Sequence, residues 1–208
     1  MRLAIFGATG GTGLALTRQA LDKGHSVRVL VRNPSRMTLV NSNMRVLMGD
    51  VLDHHSVIKT ILGTDAVLSC LGQRNLLKNT RVVSVGTKLI MSVMQAQGVR
   101  RLVVESAFGA GESLPLANWW QRLAYATLLW APYEDKNLME PEVKTSGLEW
   151  TILRPTVLSN GPLTGDSVVS FGRPPAKFTV SREDVAAVML KSVEERMWIG
   201  AAPTVTGA

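Results

Sequence analysis

A single cysteine, Cys70, is all the thiol chemistry the chain carries. No internal disulfide can form, and such usage fits a reducing compartment, so a cytoplasmic location is expected. Aromatic residues are sparse at 5%, and charged residues make up 19% against 46% hydrophobic. No stretch is polar enough to stay unfolded. Long apolar runs are missing as well. Leu3 to Phe6 is cut short by glycine well before the roughly 7–15 apolar residues of an export signal. Ser113 to Tyr133 contains Asn118, Gln121, Arg122 and two prolines, and falls short of the roughly 20 apolar residues that span a bilayer. Neither export nor a membrane span is expected. His25, His54 and His55 have no metal-like spacing with Cys70, so no metal is expected. The formal charge is +7, yet Arg2, Arg18, Lys23, Arg28, Lys59, Lys88 and Lys144 are scattered along the chain. Without a dense basic run, a small anion is a better partner than a nucleic acid.

What the chain does have is alternation. Arg2–Phe6, Ser26–Val31, Arg45–Met48, Ala66–Cys70, Arg101–Glu105 and Trp150–Leu153 are continuous apolar runs, as in strands buried on both faces. Thr12–Lys23, Ser56–Leu62, Val82–Gln97 and Glu134–Ser146 have helical period and stop at Gly24, Gly63, Gly98 and Gly147. This βαβ rhythm predicts an α/β fold: one Rossmann-like domain over residues 1–208, a doubly wound, mainly parallel sheet with helices on both faces. Residues 155–208 supply a smaller substrate-side region. There, Pro155–Gly165 is turn-rich, Val168–Phe171 and Pro203–Gly207 suggest short strands, and Ser181 caps a helix with Glu183 and Asp184 in its first turn.

Gly7-Ala8-Thr9-Gly10-Gly11-Thr12-Gly13 leaves the first strand and enters the first helix. In that place glycines let backbone N–H groups approach a diphosphate, and the helix amino end adds positive potential. The spacing is GxxGxxG, with Gly13 placed for close packing of helix on strand. Leu14 and Ala15 stand where a Walker loop would carry Lys-Ser/Thr, which excludes that class. An NAD site usually ends its second strand with a carboxylate for the ribose 2′-hydroxyl, but this strand runs into Arg32, Asn33, Ser35 and Arg36. Two guanidinium forks and a serine hydroxyl suit a 2′-phosphate, so NADP is expected, with NADPH preferred over NADH. Asp50 and Val51 follow the third strand as seats for adenine. Leu71 and Gly72 follow the fourth, where the dinucleotide would turn toward its nicotinamide half.

"IFGATGGTG", "VLVRNPSRM", "GDVLD", "DAVLSCLGQRN", "VVESAFGAG", "SGLEWTILRPTVLSNGPLTG" and "VSREDVA" together resemble the atypical short-chain dehydrogenases/reductases. More closely, they resemble the NAD(P)H-binding group that contains biliverdin reductase B, a flavin reductase, and the NmrA-like proteins. The likeness runs from Met1 to about Val193. It implies that Thr9, Gly10, Gly11 and Thr12 hold the diphosphate, Arg32 and Arg36 the 2′-phosphate, and Asp50 with Val51 the adenine. It also implies that Leu71, Gly72 and Arg74 line the cofactor's middle, that Ser106 and Phe108 sit beside the nicotinamide, and that Pro155, Thr156, Val157 and Leu158 close against the carboxamide. The activity implied is hydride transfer from NADPH to a flavin, a quinone or another small planar acceptor, by a monomer or homodimer.

Two departures stand out. The short-chain Tyr–Lys pair is four residues apart, whereas Tyr133 and Lys136 are three apart; with Ser106 they are the catalytic candidates. Thr156 stands where the biliverdin reductase pattern has His, which weakens a bilin substrate. The alternative to an enzyme is a non-catalytic NADP(H) sensor of the NmrA type. A sugar-nucleotide epimerase would need more chain after Arg154. Finally, Trp119, Leu123, Ala126 and Trp130 recur at helical spacing, with Trp120 beside them. They read as a helix packed on the nucleotide domain, with a partner surface, a lid or a membrane surface as the other readings.

Overall fold

In the computed structural model, which describes residues 1–73 and 80–208, every continuous apolar run becomes a strand. These are β1 (Arg2–Phe6), β2 (Ser26–Val31), β3 (Met44–Met48), β4 (Ala66–Ser69), β5 (Arg101–Glu105) and β6 (Glu149–Pro155). The carboxyl-terminal region adds β7 (Val157–Ser159), β8 (Val168–Ser170), β9 (Thr179–Ser181) and β10 (Thr204–Thr206). The main sheet has the order β3-β2-β1-β4-β5-β6-β10-β8, parallel except for β8, and β7 pairs with β9 in a small separate sheet. The helices are α1 (Gly11–Asp22), α2 (His54–Ile61), α3 (Val82–Gln97), α4 (Trp119–Ala126), α5 (Trp130–Lys144) and α6 (Arg182–Glu194).

Alternation along β1 divides the core. Leu3 and Ile5 point to the face covered by α1 and α6, with Leu16, Ala20, Ala186 and Met189. Ala4 and Phe6 point to the face covered by α2, α3 and α5, with Ile61, Ile90, Met94 and Met139. A strand with both faces covered carries no polar position, which is why β1 reads as unbroken apolar sequence. Met91 and Met94 fill the α3 side as expected. The stop glycines Gly24, Gly63, Gly98 and Gly147 have φ between +70° and +79°.

Three expectations are corrected. β3 is an edge strand with a wet face: Met48 is 74% exposed. The tryptophan stripe does not pack on the domain; Trp119, Trp120 and Leu123 are all more than half exposed, and Trp130 is exposed as well. Helix α5 also begins at Trp130, ahead of Glu134, with Pro132 inside its first turn, where a missing N–H costs no helical bond.

The two elements that close over the sheet edge are tied by caps. Asp184 accepts from the Ser181 hydroxyl (2.6 Å), the Thr164 hydroxyl (3.0 Å) and the amides of Thr164 (2.9 Å) and Gly165 (3.0 Å). Burial would raise its pKa, but the Ser181, Gly165 and Thr164 donors outweigh that and hold it below the ordinary carboxylate range. A depressed folded pKa gives stability that is complete above the unfolded value of about 3.9 and fades as pH falls through the folded value. Asp184→Ala is therefore expected to cost about 1–3 kcal/mol at neutral pH and much less in strong acid. Thermal melts of wild type and variant at both pH values check this.

Candidate nucleotide cleft

The glycine turn is forced by its neighbours. Gly7 has φ +77°, and a Cβ there would lie 2.3 Å from the Cys70 carbonyl oxygen at the end of β4. The Gly10 amide donates to the Gly7 carbonyl at 3.0 Å. A Cβ on Gly13 would lie 2.2 Å from that same carbonyl oxygen, so helix α1 can meet the turn this closely only with a bare Cα. Gly10 is the N-cap of α1 and offers no side-chain cap, so the first-turn amides face the cleft as an anion seat. Gly13→Ala should abolish tight nucleotide binding and lower the melting temperature, because both contacting groups are backbone that cannot yield. Calorimetry and a thermal melt on the variant check it.

The turn opens into a cleft of about 570 Å³ over the carboxyl ends of β1, β2, β4, β5 and β6. Here the topology reverses direction between β1 and β4, the place where parallel α/β sheets take ligands. Gly7, Thr9, Gly10, Gly11, Thr12 and Gly13 line one stretch of it. Arg32, Arg36, Asp50 and Val51 line a second, and Leu71, Gly72, Ser106, Lys136, Pro155 and Thr156 a third. Arg74 lies outside the described residues. Phe108 and Val157 do not line the cleft. Phe108 is buried, donating its amide to Pro155 (2.8 Å), and Val157 is half exposed on the small sheet.

Arg32 and Arg36 are exposed at the β2 end of the cleft, with no ion pair to another described residue. Ser35 is not available as a donor: its hydroxyl and amide both go to Asn33 Oδ1, at 2.8 and 3.0 Å. Asp50, which lines the cleft, uses Oδ1 to accept from the Leu52 amide at 2.9 Å, a turn contact.

The other end of the cleft is built on a buried polar chain. Ser106 donates its hydroxyl to Glu140 Oε1 at 2.6 Å, and Glu140 is held by Arg154 Nε (3.1 Å) and Nη2 (2.5 Å). Glu140 and Arg154 are both almost fully buried. Because its one hydrogen is committed, Ser106 can only accept from a ligand. Beside it, Thr156 lines the cleft, and its Oγ1 is buried with no partner among the described residues. Glu105, at the end of β5, accepts from Thr12 Oγ1 at 3.0 Å; burial raises its pKa, and the nearby Lys136 ammonium works against that rise. Lys136 Nζ donates to the Glu105 carbonyl at 3.3 Å, and its own pKa is lowered by burial against the pull of Glu105 and Glu140.

Tyr133 is turned away from the cleft. Its hydroxyl donates to the Phe108 carbonyl at 2.8 Å, its ring stacks on Tyr125, and burial pushes its pKa further up. Residues four apart share a helix face, so the partner of Lys136 on the cleft wall is Pro132. Sequence reading missed Glu105, Glu140, Arg154 and Arg182. The Arg182 side chain lies over Gly11, with Cδ 2.4 Å from where a Cβ would stand, and donates to Asn160 Oδ1 at 2.6 Å. In the sequence it is only the residue after the cap Ser181; its reach to the glycine turn depends on α6 packing against α1.

This fold and cleft define a Rossmann-type nucleotide-binding protein. Residues 7–196 match the family model described as NAD(P)H-binding, and the chain belongs to that family. An uncharacterized chloroplastic protein of Arabidopsis thaliana is 27% identical over 92% of this chain and 71% of its own. The isoflavone reductase homolog P3 of the same plant is 26% identical over 93% of this chain and 65% of its own. Among solved structures, the anaerobillin reductase ChuY from Escherichia coli O157:H7 superposes with a TM-score of 0.85 at 22% identity, covering 100% of this chain and 97% of that one. A short-chain dehydrogenase/reductase from Veillonella parvula, solved in complex with NADP, gives 0.85 at 17% identity, covering 99% and 94%. The two structures share the fold. No helix among the described residues is long and apolar enough to cross a membrane, and no group of His, Cys, Asp and Glu among them could hold a metal ion.

Proposed function

We propose that the protein is an NADPH-dependent oxidoreductase of the atypical short-chain type that reduces a flat acceptor such as a flavin or quinone. What supports the reading most is the pairing of two ends in one cleft. At one end the uncapped α1 turn stands with two guanidinium groups that pair with no described residue; at the other stand Ser106 and the partnerless Thr156 hydroxyl, without a phenol beside them. The glycine cradle and the orphaned Thr156 hydroxyl fit a dinucleotide with its carboxamide toward β6. NADPH, when bound, supplies a hydride.

The chain's own residues would do the rest. The α1 amides and Arg182 would bind diphosphate oxygens, and Arg32 with Arg36 the 2′-phosphate. Ser106, fixed by Glu140 and Arg154, would accept from a carboxamide N–H and so set which ring face is open. Pro132 would leave a flat apolar wall for the acceptor, and Lys136 Nζ would hold a proton at its edge. Purified protein with NADPH and FMN, dichlorophenolindophenol or a quinone tests this through the fall in NADPH absorbance. Tyr133, turned away from the cleft onto the Phe108 carbonyl, favours the sensor as second reading. That reading wins if absorbance never falls while the oxidised and reduced cofactors bind with different affinities.

A further inference from the structure

Helix α4 is amphipathic in reverse. Its buried side chain is the polar Gln121, which closes a capping box with Asn118: Asn118 Oδ1 accepts from the Gln121 amide at 3.0 Å, and Gln121 Oε1 from the Asn118 amide at 2.8 Å. Its apolar side chains face out. Trp119 is 63% exposed, Trp120 64%, Leu123 53%, and Leu128 in the following turn 70%. The helix does not need a partner to hold its shape. Arg122 donates to the carbonyls of Ala117 (2.9 Å) and Pro115 (2.7 Å). The Tyr125 ring packs over Gly109, whose φ is +96°, and stacks on Tyr133 with centroids 4.2 Å apart. A fixed helix thus presents a contiguous apolar face, which a monomeric soluble surface rarely tolerates without use.

The chemistry around that face selects what covers it. From Ser113 to Tyr133 there is no acidic side chain, and Arg122 is the one charged residue. The chain as a whole carries +7. That net charge draws the molecule toward an anionic surface and opposes pairing with a second, equally cationic copy. Tryptophan prefers the boundary between headgroup and acyl chain, where an apolar ring and a polar N–H are both satisfied. We propose that α4 and the turn after it form a docking face for an anionic lipid bilayer, lying in the interface without crossing it. This stands apart from the reading of the cleft.

The test is co-sedimentation of the full chain with vesicles of phosphatidylcholine alone and of phosphatidylcholine mixed with phosphatidylglycerol, with tryptophan emission recorded in parallel. Binding to the mixed vesicles with a blue shift is expected, and Trp119→Ser/Trp120→Ser should reduce it by roughly tenfold or more. Leu128→Glu, on an exposed turn, is a second variant that should act the same way with its thermal melt unchanged. The proposal is overturned if mixed vesicles bind no more than pure phosphatidylcholine, or if both variants bind like wild type. It is equally overturned if ultracentrifugation finds a dimer that the variants dissociate while vesicles are ignored.

Discussion

Arg32→Ala/Arg36→Ala is expected to weaken NADPH binding by about 10–150-fold, equivalent to roughly 1.5–3 kcal/mol, while leaving NADH within a few-fold of wild type. Each charge-assisted contact could reach the upper value alone in a buried site, but both arginines are exposed, so the pair is assigned what one buried contact would give. The preference should shrink as salt rises, since screening acts most on exposed charges. Arg182→Ala supplies the contrast. Its side chain lies over the glycine turn, common ground for both cofactors, so NADPH and NADH should weaken together. Isothermal calorimetry with both cofactors on all three proteins decides the matter, and equal losses in the double variant would defeat the selection of a 2′-phosphate.

The second large effect concerns stability. Glu140→Ala should cost about 3–5 kcal/mol, because it leaves the Arg154 guanidinium buried without its carboxylate and the Ser106 hydroxyl without an acceptor. Against a total of roughly 5–15 kcal/mol for a typical domain, urea midpoints should fall sharply. Glu112 already pairs with the same Nη2 at 3.7 Å, but it is exposed and held more closely by Lys144 (2.7 Å), so it makes up only part of the loss. Replacing both partners with Glu140→Met/Arg154→Met should cost far less than the single change, since the penalty lies in the unpaired charge. If the single and double variants unfold at the same urea concentration, the ion pair is not what holds this end of the cleft.

Much of this was open to reading from sequence because it is local. A strand covered on both faces has to be apolar throughout, and a turn that meets a helix within van der Waals range has to be glycine, so β1 and Gly7 to Gly13 announce themselves. What depended on distant packing did not. Residues of β7 and β9 sit in segments too short to show a period, and β7 meets β9 only because the chain runs on from the end of β6 through Thr156 into a second sheet. Lys136 is a candidate from sequence through its spacing to Tyr133; that it shares the cleft wall with Pro132 instead shows only once α5 begins at Trp130 and not at Glu134. The tryptophan stripe has the spacing of a packed helix; that Gln121 turns inward instead follows from a capping box whose polar pair must be satisfied first. Glu140 and Arg154 are separated by a helix end and a strand, and their union exists only once α5 lies on β6.

One stretch of α5 does three jobs at once. Asp135 accepts from the amides of Val83 (2.8 Å) and Ser84 (2.9 Å) at the start of α3, Lys136 reaches the end of β5, and Glu140 holds Arg154 on β6. An α-helix turns about 100° per residue, so a single inserted or deleted residue between Asp135 and Glu140 would swing one set of fastenings out of line with the other. Divergence in length among descendants of this chain should therefore gather in the loops, while the register of this helix stays frozen.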